Sequence, residues 1–268
     1  MASPVRPPAV AGRFYPGDPQ ALLGEVQSFL SPREITRPAL GCVVPHAGYV
    51  YSGHVAGAVF ATLDLPKRFI ILCPNHTGRG TPLSIMSRGS WQTPLGQALI
   101  DEELAETLKR QFPLLSENAE AHRTEHAIEV ELPFLQALRA EFTFVPIALG
   151  TGQFKLLADL GEAIAQVVGK ERVLVIASSD MNHYESDSVT RVKDHKAIER
   201  VLALDPAGLH EVVMKENISM CGFGPAVAML TAAKSLGATS AELIRYATSG
   251  DVSGDRDMVV GYAGMVVR

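Results

Sequence analysis

Short runs of apolar residues alternate along this chain with longer segments in which apolar positions recur every three or four residues. The short runs are 40–44, 69–72, 142–147, 173–177 and 262–267. Their length and β-branched content are typical of strands buried on both faces. The longer segments, each of which predicts a helix, are 19–30, 53–63, 102–112, 125–141, 154–168, 189–204 and 226–236. We therefore predict an α/β sandwich, with a central mainly parallel or mixed sheet and helices on both faces.

No break in this pattern separates two domains. The sequence contains no linker, no low-complexity segment and no internal repeat with a period of about 20–50 residues. We therefore expect residues 1–268 to form a single domain. The irregular stretch 77–96 leaves room for antiparallel strands in the same sheet.

The composition and net charge of the chain argue against some classes of binding partner. Charged residues make up 20% of the 268 residues and hydrophobic residues 47%, which is ordinary for a globular protein and argues against disorder. The net charge is −5 and there is no basic tract, so neither nucleic acid nor an anionic membrane surface is expected as a partner. The three cysteines form no disulfide framework, which predicts a reducing, cytoplasmic compartment.

One uncharged stretch, 38–63, is long enough to cross a membrane. It carries His46, Tyr51 and His54, and lipid would make such polar groups costly. A buried strand, a polar loop and a helix explain this stretch better. The segment 1–17 is interrupted by four prolines and has no apolar core, so no signal peptide is predicted.

Polar residues of catalytic type directly follow three of the predicted strands. His46 follows the first run, His76 follows the second, and Asp180 and His183 follow the run at 173–177. Ligands of open α/β sheets bind beyond the carboxyl ends of the strands, so we expect these side chains to share one site. Two imidazoles with one anionic group are a common set of ligands for a catalytic metal.

Two residues are candidates for the anionic ligand. Asp180 is the carboxylate within these loops, and Cys221 is a possible thiolate just before a helix that Pro225 is expected to open. A helix N-terminus favours the thiolate form of cysteine, and the glycines on either side of Phe223 permit close backbone approach. Cys42 and Cys73 lie in or at the end of predicted strands, and we interpret both as structural.

The segment around His126 contains a literal H-x-x-E-H motif, from His122 to His126. A metallopeptidase needs both histidines on one face of a helix, whereas Thr124 is a better N-cap and would leave His122 outside the helix. The peptidase interpretation is therefore disfavoured. His126 and Glu129, three residues apart, would share a helix face, and we expect them to bind substrate or to support the metal ligands.

Several motifs occur together in one order along nearly the whole chain. They are Arg6-Pro7-Pro8-Ala9-Val10-Ala11-Gly12-Arg13-Phe14-Tyr15-Pro16, Pro45-His46-Ala47-Gly48-Tyr49-Val50-Tyr51-Ser52-Gly53, Pro74-Asn75-His76, Glu125-His126-Ala127-Ile128-Glu129-Val130, Ser178-Ser179-Asp180, Cys221-Gly222 and Gly261-Tyr262-Ala263. With these motifs the sequence resembles the Memo family, whose prokaryotic members are often labelled AmmeMemoRadiSam system protein B. The resemblance implies a fold similar to class III extradiol ring-cleaving dioxygenases.

The resemblance also implies a metal held by the positions that match His46, His76 and Cys221. Iron is the expected metal, with copper or zinc as alternatives. Asp180, His183 and His126 would line the same pocket. A cysteine would then replace the carboxylate of the dioxygenases, so the resemblance does not by itself imply ring cleavage.

The leading hypothesis is a mononuclear non-haem iron oxidoreductase that acts on an unknown small molecule with O₂. His183 would be its general acid or base, oriented by Asp180, and Tyr51, expected in the loop after His46, would bind substrate, as would Glu129. The alternative is a non-catalytic module that binds a peptide or protein on a dioxygenase-like scaffold. A zinc peptidase is a third, less favoured hypothesis.

Overall fold

The apolar runs form the centre of a twelve-stranded sheet in the computed structural model, which describes residues 4–30 and 36–268. In chain order the strands are β1 (Val5–Arg6), β2 (Gly41–Val44), β3 (Arg68–Pro74), β4 (Leu83–Ile85), β5 (Ser90–Thr93), β6 (Gly96–Ile100), β7 (Ser116–Glu117), β8 (Thr143–Leu149), β9 (Val173–Ser178), β10 (His183–Glu185), β11 (Ala241–Thr248) and β12 (Val259–Val267). The main path across the sheet is β1-β5-β6-β8-β3-β9-β2-β12-β10.

The middle of this sheet is parallel, and antiparallel pairs occur toward both margins. β6, β8, β3, β9 and β2 pair in parallel, whereas β12 is antiparallel to both β2 and β11. Within the stretch 77–96, β4 and β5 form antiparallel pairs with β8 and β6. The predicted mixed sheet is therefore confirmed. Because Val44 is opposite Ser178 in the ladder, the carboxyl ends of β2 and β9 lie at one edge.

The helices cover both faces of the sheet, as predicted. They are α1 (Pro19–Phe29), α2 (Tyr49–Phe60), α3 (Glu102–Gln111), α4 (Leu132–Leu138), α5 (Phe154–Val168), α6 (Asp187–Leu202), α7 (Pro206–Lys215), α8 (Phe223–Ser235) and α9 (Gly250–Ser253). Neighbouring strand residues point to opposite sides, so Val43 packs in the cluster beneath α3, α5 and α8. Val44 packs in the cluster beneath α1, α2 and α4.

The predicted helix 125–141 is wrong in its first half. The chain forms a 3₁₀ turn at Glu129–Glu131 and an α-helix only at Leu132–Leu138, with a proline in the first turn. The physical reason is Glu125, which is fully buried and accepts hydrogen bonds from its own neighbours, the backbone N–H groups of His126 and Ala127. This local hydrogen bonding replaces a helical first turn, and Thr124 caps no helix.

Among residues 4–30 and 36–268, no helix is both long enough and apolar enough to span a bilayer. The uncharged stretch 38–63 instead contains β2, a loop and all of α2, as the sequence predicts.

Asp194 is a buried carboxyl group that joins α6 to the antiparallel margin of the sheet. It accepts hydrogen bonds from the Tyr246 hydroxyl at 2.7 Å and from the backbone N–H of Asn182 at 2.8 Å. Burial raises the pKa of Asp194 to about 7, because desolvation penalises the ionised form more than these donors stabilise it.

This shift predicts a pH-dependent stability. The folded protein binds the Asp194 proton more tightly than the unfolded chain, so the stabilisation is complete below the unfolded pKa of 3.8 and is lost as pH rises through about 7. A difference of about three pKa units corresponds to about 4 kcal/mol. In urea titrations between pH 3.8 and about 7, the unfolding free energy of Asp194→Asn should depend less on pH than that of wild type. An equal slope would contradict the assignment, and Asp159→Asn, an exposed carboxylate on α5, controls for the substitution.

Candidate metal centre

Three histidines from three loops converge at the carboxyl edge of the sheet. His46 follows β2, His76 follows β3, and His126 lies between the short 3₁₀ turns Ala119–Ala121 and Glu129–Glu131. One ring nitrogen from each lies within 4.8 Å of the other two. The His76 and His126 rings stack with their centroids 4.8 Å apart. These three imidazoles could hold a metal ion.

Cys221 lies beside this group. Its Sγ is 3.3 Å from Nε2 of His46, although the metal-competent group of three contains His126 rather than the cysteine. Gly222, the N-cap of α8, makes the approach possible, because a Cβ there would lie 2.4 Å from the Ser178 carbonyl oxygen and the Ser179 Cβ. Cys221 therefore lies just before a helix, as predicted, and the glycine that follows it makes a close backbone contact.

The electrostatics of Cys221 differ from expectation. Burial, and after it the charge of Asp180, raises the pKa of the Cys221 thiol well above its usual range. The helix N-terminus alone was expected to favour the thiolate. Desolvation outweighs that effect here, so a nearby cation would be needed to stabilise the thiolate.

In two of the histidines, a hydrogen bond to Nδ1 fixes the orientation of the ring. Nδ1 of His46 lies 2.9 Å from the Ser178 hydroxyl, and Nδ1 of His76 lies 2.9 Å from Oε1 of Glu125. Partners of this kind set the ring orientation and leave Nε2 available to a metal. Ser178 ends β9, two residues before Asp180, and the sequence analysis assigns it no role.

Glu125 organises two of the three histidines. Its buried carboxylate accepts from the backbone N–H groups of His76 at 2.7 Å and His126 at 2.8 Å, besides the His76 ring. Burial alone would raise the pKa of Glu125, but the hydrogen bond and charge of His76 outweigh it and hold that pKa below its usual value. The same contact raises the pKa of His76 against the effect of burial.

The other two histidines of the cluster are held in the neutral form. Burial, followed by the charges of the neighbouring histidines, lowers the pKa of His46 well below its usual value. Burial likewise lowers the pKa of His126. Neutral imidazole is the form that binds a metal, so burial prepares both rings for ligation.

Asp180 lies within the cluster, as its position after β9 predicts. Oδ1 accepts from the backbone N–H of His46 at 2.8 Å, and Oδ2 lies 4.0 Å from Nε2 of the same histidine. Burial raises the pKa of Asp180 to about 7. The Asp180 carboxylate thus contacts His46, and the Asp180 backbone carbonyl accepts from the Cys221 thiol and the Ser179 hydroxyl. Nδ1 of His183 instead contacts the Ser219 carbonyl at 2.8 Å. The predicted orienting contact between Asp180 and His183 is not among the described contacts.

Glu129 and Tyr51 occupy positions that differ from those expected. Glu129 does not share a helix face with His126; its fully buried carboxylate contacts Arg6 at 2.7 Å and Tyr15 at 2.6 Å. Tyr51 lies in the first turn of α2 rather than in a loop, with 41% of its surface exposed. Binding of substrate by these two residues stays a prediction.

His122 does not join His126. Its ring is fully buried 5.7 Å from the Trp91 ring, and both ring nitrogens lack a hydrogen-bond partner among the described residues. The motif that contains it is not helical. A zinc site built on His122 and His126 therefore has no support in this geometry.

A cavity of about 320 Å³ adjoins the cluster. His76 and Cys221 form one wall, and the loop Gly150 to Gly152 after β8 and the start of α8 at Phe223 form the others. A larger cavity of about 770 Å³ lies at the opposite end of β3 and β8 and contains no histidine or cysteine. The smaller cavity has the size of a small-molecule site and is the one beside the histidine cluster.

Known proteins resemble this chain over almost its whole length. A family model described as Memo-like protein matches residues 6–266. A MEMO1 family protein of Methanosarcina barkeri is 46% identical, over 98% of this chain and 100% of the relative. One of Methanopyrus kandleri is 44% identical, over 98% and 99% of the two chains. The solved structure of an uncharacterized Escherichia coli K12 protein matches with a TM-score of 0.58 at 12% identity, over 84% of this chain and 98% of that one, which supports the fold alone.

Proposed function

Because this chain belongs to the Memo family, we propose that it is a mononuclear, iron-dependent oxidoreductase that acts on a small molecule with O₂. The observation that carries this proposal is the convergence of His46, His76 and His126, with ligand atoms within 4.8 Å of one another. A mononuclear centre suits three imidazoles, and the thiol of Cys221 beside Nε2 of His46 adds a fourth donor.

The donor chemistry fits iron. Imidazole nitrogen suits iron, copper and zinc alike, and sites with two histidines and one anionic ligand leave positions open for O₂ and substrate in non-haem oxygenases. His46 and His76 belong to every ligand set that we consider. The third ligand would be His126 or Cys221, and Asp180, whose Oδ2 lies 4.0 Å from Nε2 of His46, is the carboxylate candidate.

Bound iron would supply the redox chemistry of the site. His183 would move the proton: the Ser219 carbonyl can only accept a hydrogen bond, so Nδ1 of His183 carries hydrogen and Nε2 has a free lone pair. Burial lowers the pKa of His183, which keeps the imidazole neutral near pH 7. Nε2 could then accept a proton from a hydroxyl or thiol group of the substrate.

Metal titration tests the proposal. Protein purified without chelator should contain metal, and the metal-free protein should bind one Fe(II) under anaerobic conditions, with an EPR signal on addition of nitric oxide. His46→Ala should abolish stoichiometric Fe(II) binding. Of the variants His126→Ala and Cys221→Ser, the one with the lower Fe(II) affinity identifies the third ligand. His195→Ala, an exposed histidine on α6, is the control. Unchanged iron affinity in all three site variants would refute the assigned centre.

A binding module on the same scaffold is the second candidate. Tyr184 and Tyr51 are 68% and 41% exposed, and exposed aromatic side chains are frequent in surfaces that bind peptides or proteins. O₂ consumption with a panel of catechols and small thiols separates the two functions. Turnover that requires iron and is lost in His183→Asn supports the oxidoreductase. Absence of O₂ consumption with every compound of the panel favours the binding module.

A further inference from the structure

Two buried side chains, Ser178 and Glu131, form a hydrogen-bonded chain behind His46. The Ser178 hydroxyl is within hydrogen-bonding distance of His46 Nδ1 at 2.9 Å, the Ala127 carbonyl at 2.8 Å and Oε1 of Glu131 at 3.0 Å. Ser178 and Glu131 are fully buried, and Glu131 forms no ion pair with any residue in the described ranges. Glu131 has no role in the proposed function or in the sequence predictions.

The hydrogens of this chain can be counted. A serine hydroxyl donates one hydrogen bond and accepts two, and a carbonyl oxygen can only accept. The Ala127 carbonyl therefore takes the Ser178 hydrogen, and the other two partners must both donate to the Ser178 oxygen. An ionised Glu131 has no hydrogen to donate. The single Ser178 hydrogen could then lie toward only one of two oxygens, the Ala127 carbonyl at 2.8 Å or Oε1 of Glu131 at 3.0 Å, and the other oxygen would face the Ser178 oxygen with no hydrogen between them.

We propose that Glu131 is a neutral carboxylic acid that donates a hydrogen bond to Ser178, and that these two positioning residues hold His46 with Nδ1 protonated and Nε2 free. The contact on the other side of the ring agrees with this tautomer. The Cys221 thiol lies 3.3 Å from Nε2 of His46, and a free lone pair on Nε2 lets the thiol donate to it.

The arrangement makes the two histidines unequal. Glu125 behind His76 accepts from the His76 ring and from three backbone N–H groups, those of His76, His126 and Ala127, and these are the contacts of an ionised carboxylate. The group behind His46 is an uncharged hydroxyl linked to an uncharged acid. An anionic partner raises the basicity of a histidine ligand. His76 is thus the stronger donor of the pair, and His46 the one with less negative charge behind it. The consequence of this charge difference for metal binding rests on the proposed function. The protonation states of Glu131 and His46 do not depend on it.

Spectroscopy of the metal-free, full-length protein tests the protonation states directly. The infrared spectrum of wild type minus that of Glu131→Gln should contain the C=O stretch of a protonated carboxylic acid, shifted in D₂O. Nitrogen-15 spectra should place the His46 hydrogen on Nδ1, with the signal identified from its loss in His46→Gln. A carboxylate band in the infrared difference, or hydrogen on Nε2 of His46, would overturn the proposal.

Fe(II) affinity tests the positioning role. Glu131→Gln retains a donor to Ser178 and should bind Fe(II) as wild type does. Ser178→Ala removes the acceptor of His46 Nδ1 and should lower the affinity about 10–100-fold, with a mixture of His46 tautomers in the metal-free state. Equal affinity in Ser178→Ala and wild type, with folding verified by circular dichroism, would rule out positioning. If wild type binds no iron, the proposed function fails while the spectroscopic result stands.

Discussion

Glu129→Ala is expected to lower the free energy of unfolding by about 3–5 kcal/mol, because it leaves the Arg6 guanidinium buried without its counter-charge. The two side chains are 0% and 3% exposed and meet at 2.7 Å. The same carboxylate also accepts from the Tyr15 hydroxyl and the backbone N–H groups of Ala9 and Val10. Four donors from one N-terminal segment would thus lose their acceptor. Urea denaturation at neutral pH measures the change.

An exposed ion pair nearby provides the matched control. Glu120 and Arg123 meet at 3.1 Å with side chains 63% and 57% exposed, and Glu120→Ala should cost less than about 1 kcal/mol. In the cycle with Arg6→Ala, the double variant should lose less than the sum of the two single losses. A Glu129→Ala loss as small as that of Glu120→Ala would show that the buried pair does not stabilise the fold.

Glu125→Gln is expected to lower Fe(II) affinity about 10–100-fold, the usual effect of removing a carboxylate that orients a metal-binding histidine. The glutamate accepts from the His76 ring and from three backbone N–H groups, those of His76, His126 and Ala127. A glutamine amide would turn one of these acceptors into a donor that faces another donor. Isothermal titration of the metal-free protein measures the affinity.

Glu120→Gln is the control for this substitution, since it makes the same change on an exposed side chain in the same part of the chain. Its Fe(II) affinity should equal that of wild type. The Glu125→Gln protein should keep its fold, because the glutamine retains the volume and most of the hydrogen bonds. Wild-type affinity in Glu125→Gln would mean that the carboxylate does not position the metal-binding rings.

Much of the sheet, and the edge at which the histidines converge, could be predicted from the sequence. The predicted helix 154–168 coincides with α5, because a strongly amphipathic segment has only one way to bury its apolar face. His46 and His76 were placed together because both directly follow buried parallel strands. Local patterns suffice where burial and strand direction determine the outcome.

The residues around His126 could not be predicted in this way. Their pattern fits a helix, but the buried Glu125 binds the local backbone N–H groups instead. Glu129 was assigned to the helix face of His126, whereas its partner Arg6 is 123 residues away in sequence. No periodicity of the segment contains that information, since the pairing depends on how the N-terminal strand packs.

The sequence by itself determined the α/β class, the order of strands and helices along the chain, and two histidines that follow parallel strands. It also determined family membership, because ordered motifs are a property of the chain. Only the tertiary structure decided that His126 completes the cluster, that burial keeps Cys221 a thiol, and that Ser178 and Glu125 fix the histidine rings. The reason is physical: desolvation and hydrogen bonds between distant segments exist only after the sheet has brought its loops to one edge.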